Sequence, residues 1–178
     1  ECGDIDITGF RRTVSYYREI VYGLRSAPYI AVHRPQHHGR PTALTPWSWD
    51  DAIASWTWAV DPGSPVRVDV YSNADEVELQ LDGVTVGSAS VGTEKAFIAR
   101  FETAYRPGEL VAIARRGGVE TGRHTLRTAV GDARLAVSAE RISIAADADD
   151  LAFVEIALTD AAGTTIGDAD RVVTVSID

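Results

Sequence analysis

Methionine is absent from all 178 residues, position 1 included, and the single cysteine is Cys2. A chain without an initiating methionine is expected to be a piece of a longer product, and no leader peptide is legible at its start. One cysteine excludes an internal disulfide and any multi-cysteine zinc site. No apolar run approaches the roughly 20 residues that a helical membrane span needs. Lysine is nearly missing too: Lys95 stands against 16 arginines, the bias of a GC-rich coding sequence. With a net charge of −9, the chain lacks the basic surplus of a phosphate-binding surface. Nucleic acid and membrane are therefore not expected partners. The 45% hydrophobic and 24% charged content is that of a globular protein rather than a disordered one.

What is present is β patterning. The stretch Ser55–Gly83 packs two tryptophans at i and i+2, a Pro-Gly turn and two alternating runs. Val66, Val68 and Val70 alternate with Arg67, Asp69 and Tyr71; Val77, Leu79 and Leu81 alternate with Glu78, Gln80 and Asp82. Asp82-Gly83 is a hairpin signal. Ala96, Ile98 and Phe101 mark a further strand, Arg106-Pro107-Gly108 a turn, and Leu110–Ala114 a buried strand. Arg116-Gly117-Gly118 then turns into Val119–Thr128. Short strands at this spacing predict an all-β chain of immunoglobulin-like sandwich class.

The ends read differently. Asp4–Ile7 is a short alternating run closed by Gly9. Val14, Tyr17, Val21 and Leu24 recur at helical spacing, with Gly23 available to end a helix and Thr13 or Ser15 to cap its start. A strand-loop-helix unit this small cannot hold a core alone. From Ser26 to Pro46 four prolines predict an irregular connector. After Gly131-Asp132 come strand patterns at 135–137, 142–144, 151–158 and 172–177, with a turn at Asp160–Gly163. The expected organisation is thus 1–45 leading unit and connector, 46–130 sandwich, and 131–178 a second, truncated sandwich.

The chemistry of a site is sparse. There is no Ser-His-Asp arrangement, glycine-rich phosphate loop or HExxH motif. His33, His37 and His38 carry no cysteine or carboxylate cluster at ligand spacing, and Pro35 forbids the helix that would align them; they read as surface or packing residues, with no metal expected. Asp147, Asp149 and Asp150 lack the EF-hand spacing and read as a solvated turn. His124 sits alone in a strand pattern. Asp4 and Asp6 are the acids to watch, because a strand feeding a loop and helix is the repeating unit of a (β/α) barrel, whose strand ends face the active site. Trp47, Trp49, Trp56 and Trp58 are the one aromatic concentration. They are candidates to stack on sugar rings, or alternatively to pack the junction between the leading unit and the sandwich. In a strand, Trp56 and Trp58 would share a face.

The stretch Gly3–Gly23, with its phrase Asp6-Ile-Thr-Gly-Phe-Arg-Arg-Thr-Val-Ser-Tyr-Tyr17, resembles the last strand and helix of the catalytic barrel in glycoside hydrolase family 2, the β-galactosidase family, where D-x-x-G-F-x-[KR]-x-x-x-Y-Y precedes the closing helix. Ser55–Trp58 with Val66–Gly83 resembles the sandwich that follows that barrel, and Asp150–Val154 onward the start of a further immunoglobulin-like module. The resemblance implies that both catalytic glutamates lie upstream of Glu1, leaving no catalytic residue here and no cofactor. It implies a non-catalytic accessory region of a retaining β-galactosidase, partnered by its barrel. A β-galactoside ligand, a homo-oligomer contact and a role as sugar-binding module or structural spacer stay open on the residues alone.

Overall fold

The computed structural model describes residues 3–40, 48–147, 149–167 and 171–176. One helix, α1 (Thr13–Val21), precedes ten strands: β1 (Tyr29–His33), β2 (Ala52–Ile53), β3 (Pro65–Tyr71), β4 (Glu76–Leu81), β5 (Val84–Ser90), β6 (Ile98–Ala104), β7 (Glu109–Arg116), β8 (Val119–Arg127), β9 (Arg134–Ala139) and β10 (Val154–Thr159). They form two four-stranded antiparallel sheets, β2-β1-β3-β6 and β5-β4-β7-β8, and a separate β9-β10 hairpin. The all-β sandwich read from the sequence is the fold observed.

Alternation builds the core as expected. Val66, Val68 and Val70 of β3 meet Val77, Leu79 and Leu81 of β4 and Leu110, Ala112 and Ala114 of β7 between the sheets, all buried. Each such side chain contributes about 1.5–3 kcal/mol by leaving water. The β4–β5 hairpin turns at Asp82 (φ +51°) and Gly83 (φ +75°), the paired positive φ of a type I′ turn. The Asp82 carboxylate also accepts the Glu109 N–H at 2.8 Å. It lies so close to Gly108 that a Cβ there would come within 2.3 Å of it.

Several expectations are corrected. Residues 26–46 are not wholly irregular, because Tyr29–His33 forms β1 and pairs with β3 from Tyr29↔Tyr71 to Val32↔Val68. Four of its five residues are buried, so the strand has no alternation to read, and Pro28 and Pro35 bracket it. Asp4–Ile7 forms no strand; a single bridge, Ile5–Arg11, closes a turn. Neither Thr13 nor Ser15 caps α1: Arg12 is the N-cap, and the Ser15 hydroxyl donates back to the Arg12 carbonyl. Trp56 and Trp58 lie outside any strand. Among the described residues, 142–144 and 172–176 pair into no ladder. Pro41–Trp47 and Cys2 lie outside the described residues.

Helix α1 adds a third layer on the outer face of the first sheet. Its Ile20 is buried with Tyr29, Ala31, Ala52 and Tyr71, and Tyr16 and Tyr17 pack against that group. Tyr16 stacks on Tyr29 at 4.2 Å, and Tyr17 meets Tyr71 edge-on at 5.4 Å. The Tyr17 hydroxyl donates to the Ala96 carbonyl at 3.0 Å. The helix and the sandwich are thereby one packed body.

Candidate functional site

The polar features of the molecule converge on this same outer face. Arg67, Asp69 and Tyr71 alternate outward from β3, and register places Asp69 opposite Ala31 of β1 and Arg100 of β6. Asp69 is only 1% exposed, yet it is an ion in company. Arg67 grips it with two hydrogen bonds, Nε to Oδ1 at 3.0 Å and Nη2 to Oδ2 at 2.8 Å. His33 Nε2 lies 3.2 Å from Oδ2, and Arg100 stands 3.9 Å from Oδ1. Burial pushes the Asp69 carboxyl upward, but the His33 and Arg67 hydrogen bonds and the Arg67 charge outweigh it, and the net shift is downward.

This cluster has the outline of a site without the chemistry of one. Asp50, Asp69 and His33 present ligand atoms within 4.8 Å of one another, the spacing of a metal centre or of the carboxylate pair in a retaining glycosidase. The Arg67 guanidinium bridges the two carboxylates, 2.8 Å from Asp69 and 3.8 Å from Asp50. It supplies the cation, so a divalent ion would have to displace a bidentate arginine. A general acid needs a raised pKa and access to substrate; Asp69 has a lowered one and is buried.

The tryptophans part company. Trp56 is fully buried, and its Nε1–H donates to the Arg106 carbonyl at 2.9 Å. Its ring meets Tyr105 edge-on at 5.2 Å, and its own carbonyl accepts the Thr128 hydroxyl at 2.7 Å. Trp58 is 6% exposed in the same core, and its indole N–H has no acceptor among the described residues. Both sit between the sheets rather than at the helix junction, with no ring face open to a sugar. Trp49 does pack the junction, 5.1 Å from Tyr17, with its Nε1 3.4 Å from the Tyr71 hydroxyl. It is 37% exposed. Trp47 lies outside the described residues.

Beside Trp49 a cleft of about 780 Å³ opens between the start of α1, β2 and the chain before it, lined among others by Arg11, Arg12, Tyr16, Arg34, Asp50 and Asp51. Asp51 accepts from Arg34 Nε at 2.9 Å and lies 3.2 Å from His37 Nδ1. Sequence reasoning missed this cleft because its walls come from elements far apart in the chain. The one readable hint was the Trp49-Asp50-Asp51 run, an aromatic followed by two acids.

The remaining candidates serve the backbone. The Asp6 carboxylate accepts the Thr8 hydroxyl and the N–H groups of Thr8 and Phe10, and the Thr8 bond is first among the causes that hold its pKa down. Asp4 pairs with Arg18. Asp147 receives the Asp149 and Asp150 amides, and Asp150 pairs with Arg141 at 2.7 Å. His124 is half-buried and stacks on Tyr29 at 5.2 Å, and its Nδ1 accepts the Ile30 N–H at 2.9 Å. That bond ties β8 of one sheet to β1 of the other. Desolvation, then the nearby Arg25 charge, push His124 down to about 4.

Residues 63–122 match a family described as a domain of unknown function, DUF4982. The chain is 30% identical over 123 residues to β-galactosidase BoGH2A of Bacteroides ovatus, an alignment covering 68% of this chain and 14% of that protein. Among solved structures, a glycosyl hydrolase family 2 member from Bacteroides cellulosilyticus superposes with a TM-score of 0.77 at 32% identity, over 92% of this chain and 22% of the other. A β-glycosidase from Bacteroides vulgatus shares the fold at a TM-score of 0.63 and 20% identity, over 92% of this chain and 18% of its own. The chain therefore spans less than a quarter of each relative's length. It is a homologue of one segment of glycoside hydrolase family 2 proteins.

Proposed function

We propose that this chain is a non-catalytic accessory region of a β-galactosidase-like enzyme that hydrolyses O-glycosidic bonds, its sandwich buttressing a catalytic barrel through α1. The observation that carries the reading is the aromatic seam. Tyr16, Tyr17 and Trp49 fix α1 to Tyr29 and Tyr71 of the first sheet, so a helix that closes a barrel would be rigidly continuous with the sandwich. The same unit exposes Ile5, Ile7, Tyr22 and Leu24, apolar groups suited to a barrel wall. In this reading the β9-β10 hairpin is part of a second sandwich.

The chemistry agrees. The Asp50–Asp69 carboxylate pair is bridged by the Arg67 guanidinium, which unsuits these two groups to act as acid and nucleophile on a glycosidic bond. The test is an assay of the purified chain on a chromogenic β-galactoside, with loss of activity on adding a family-specific covalent inhibitor as the contamination control. No turnover above the uncatalysed rate is expected. Turnover that survives purification and falls in Asp69→Asn would overturn the reading.

A further inference from the structure

We infer that the cleft beside Trp49 is a binding site for a neutral sugar unit, a role independent of the accessory reading. Its walls combine the two elements that carbohydrate recognition needs: one apolar ring face and several planar polar groups able to pair with neighbouring hydroxyls.

Among the described aromatic rings at the cleft, Trp49 is the one available as a platform. Tyr16 has both faces taken, by Tyr29 at 4.2 Å on one side and the Arg11 guanidinium at 4.1 Å. Trp49 remains 37% exposed, and its contact with Tyr17 and the 3.4 Å approach of its Nε1 to the Tyr71 hydroxyl hold the indole in place. A platform already immobilised loses little entropy on binding. Apolar CH faces of a pyranose fit an indole held in this way.

The polar groups select against a charged ligand. Three arginines and two aspartates line the cleft, and most of their charge is met by ion pairs, within the cleft or just outside it, as Asp50 is by Arg67 at 3.8 Å. Arg34 is bound to Asp51 at 2.9 Å, and Arg11 is paired at 2.9 Å with Glu19 of α1. Phosphate or carboxylate recognition calls for guanidinium groups free to turn both N–H donors on the anion. Here the guanidinium and carboxylate edges that remain suit hydroxyls, which both donate and accept. A single ring platform fits one sugar unit or a chain end rather than a long glycan, with affinity in the millimolar range.

The test is a titration of the 178-residue chain with galactose, lactose and galacturonate, read by tryptophan fluorescence and by saturation-transfer NMR on the sugar protons. Galactose or lactose is expected to give a saturable response, with transfer concentrated on the sugar's CH face and galacturonate no better a ligand. Trp49→Ala should weaken binding by at least about tenfold, a loss typical of removing a stacking ring, while Trp49→Phe keeps part of it. Trp49→Ala should lower the thermal melt modestly, since it loosens the contact with Tyr17 of α1, and Trp49→Phe should lower it less, so binding is compared at a temperature where all three chains are fully folded. No saturable response from the folded chain, an undiminished response in Trp49→Ala, or preferential binding of galacturonate would overturn the inference. None of these results bears on catalysis: the accessory reading fails only on turnover, and the sugar site fails only on binding.

Discussion

The two β regions of this chain use the same residues to opposite ends. In the sandwich, the inward-facing Val and Leu residues of β3, β4 and β7 are buried between two sheets. In the β9-β10 hairpin, Leu135 and Val137 are 55% and 63% exposed, and all six residues of β9 face solvent. The ladder itself is regular, from Arg134↔Thr159 to Ala139↔Val154. Both regions thus form antiparallel ladders, and among the described residues only the sandwich has a second sheet packed against the first. The lesson is that strand propensity and hydrogen bonding define a hairpin, whereas stability comes from the face-to-face burial that the hairpin lacks among the described residues.

One contact between the two regions is polar. Asp160, at the turn after β10, accepts the Val130 N–H at 3.0 Å and the Ala162 and Thr164 amides at 2.8 and 2.9 Å. The Val130 bond heads the causes that lower its pKa. This staple fixes the hairpin's turn to the end of the sandwich without adding apolar burial.

Mutations should expose the asymmetry between the regions. Trp56→Ala empties the largest fully buried site and strands the Arg106 carbonyl; a loss of about 3–5 kcal/mol is expected by urea denaturation. Val137→Ala in β9 should change stability by less than about 0.5 kcal/mol on the same measurement. Comparable losses at the two positions would mean that the hairpin is as deeply packed as the sandwich.

Acid should act on the sandwich first. His124 has a folded pKa of about 4 against an ordinary value of 6.5, so the unfolded chain binds a proton more readily between these values. Its stabilising contribution is full above about pH 6.5 and is lost as pH falls towards 4. Thermal melts from pH 7 to pH 4.5 should show a falling midpoint that flattens in His124→Gln, whose amide oxygen can still accept from Ile30. An unchanged slope in that variant would remove His124 from the seam between the sheets. Asp69 acts at lower pH, because its depressed pKa keeps its ion pairs intact until pH falls below the ordinary carboxylate range.

Within the core, a smaller effect than that of Trp56→Ala is expected for Trp58→Phe. The indole N–H finds no acceptor among the described residues, so its removal sacrifices ring area but no hydrogen bond, at a cost below about 1.5 kcal/mol. Trp56→Phe should cost more, since it also breaks the bond to Arg106. Equal costs would show that the two indoles are not distinguished by their polar atoms.

The sequence by itself determined the strands with strict alternation, β3 and β4, and the turns at Asp82-Gly83 and Gly117-Gly118, because period-two patterning and positive-φ demands are local properties. The resemblance of its first two dozen residues and its sandwich to one enzyme family was also legible there. Only the tertiary structure decided that Tyr29–His33 is a strand, since burial on both faces erases the alternation that would announce it. It alone separated four tryptophans alike in sequence into Trp56 and Trp58 inside the core and Trp49 at a cleft, with Trp47 outside the described residues. Residue type fixes what an indole can do; which face meets water is set by elements distant in the chain, and here that leaves Trp49 partly exposed while Trp56 and Trp58 are buried.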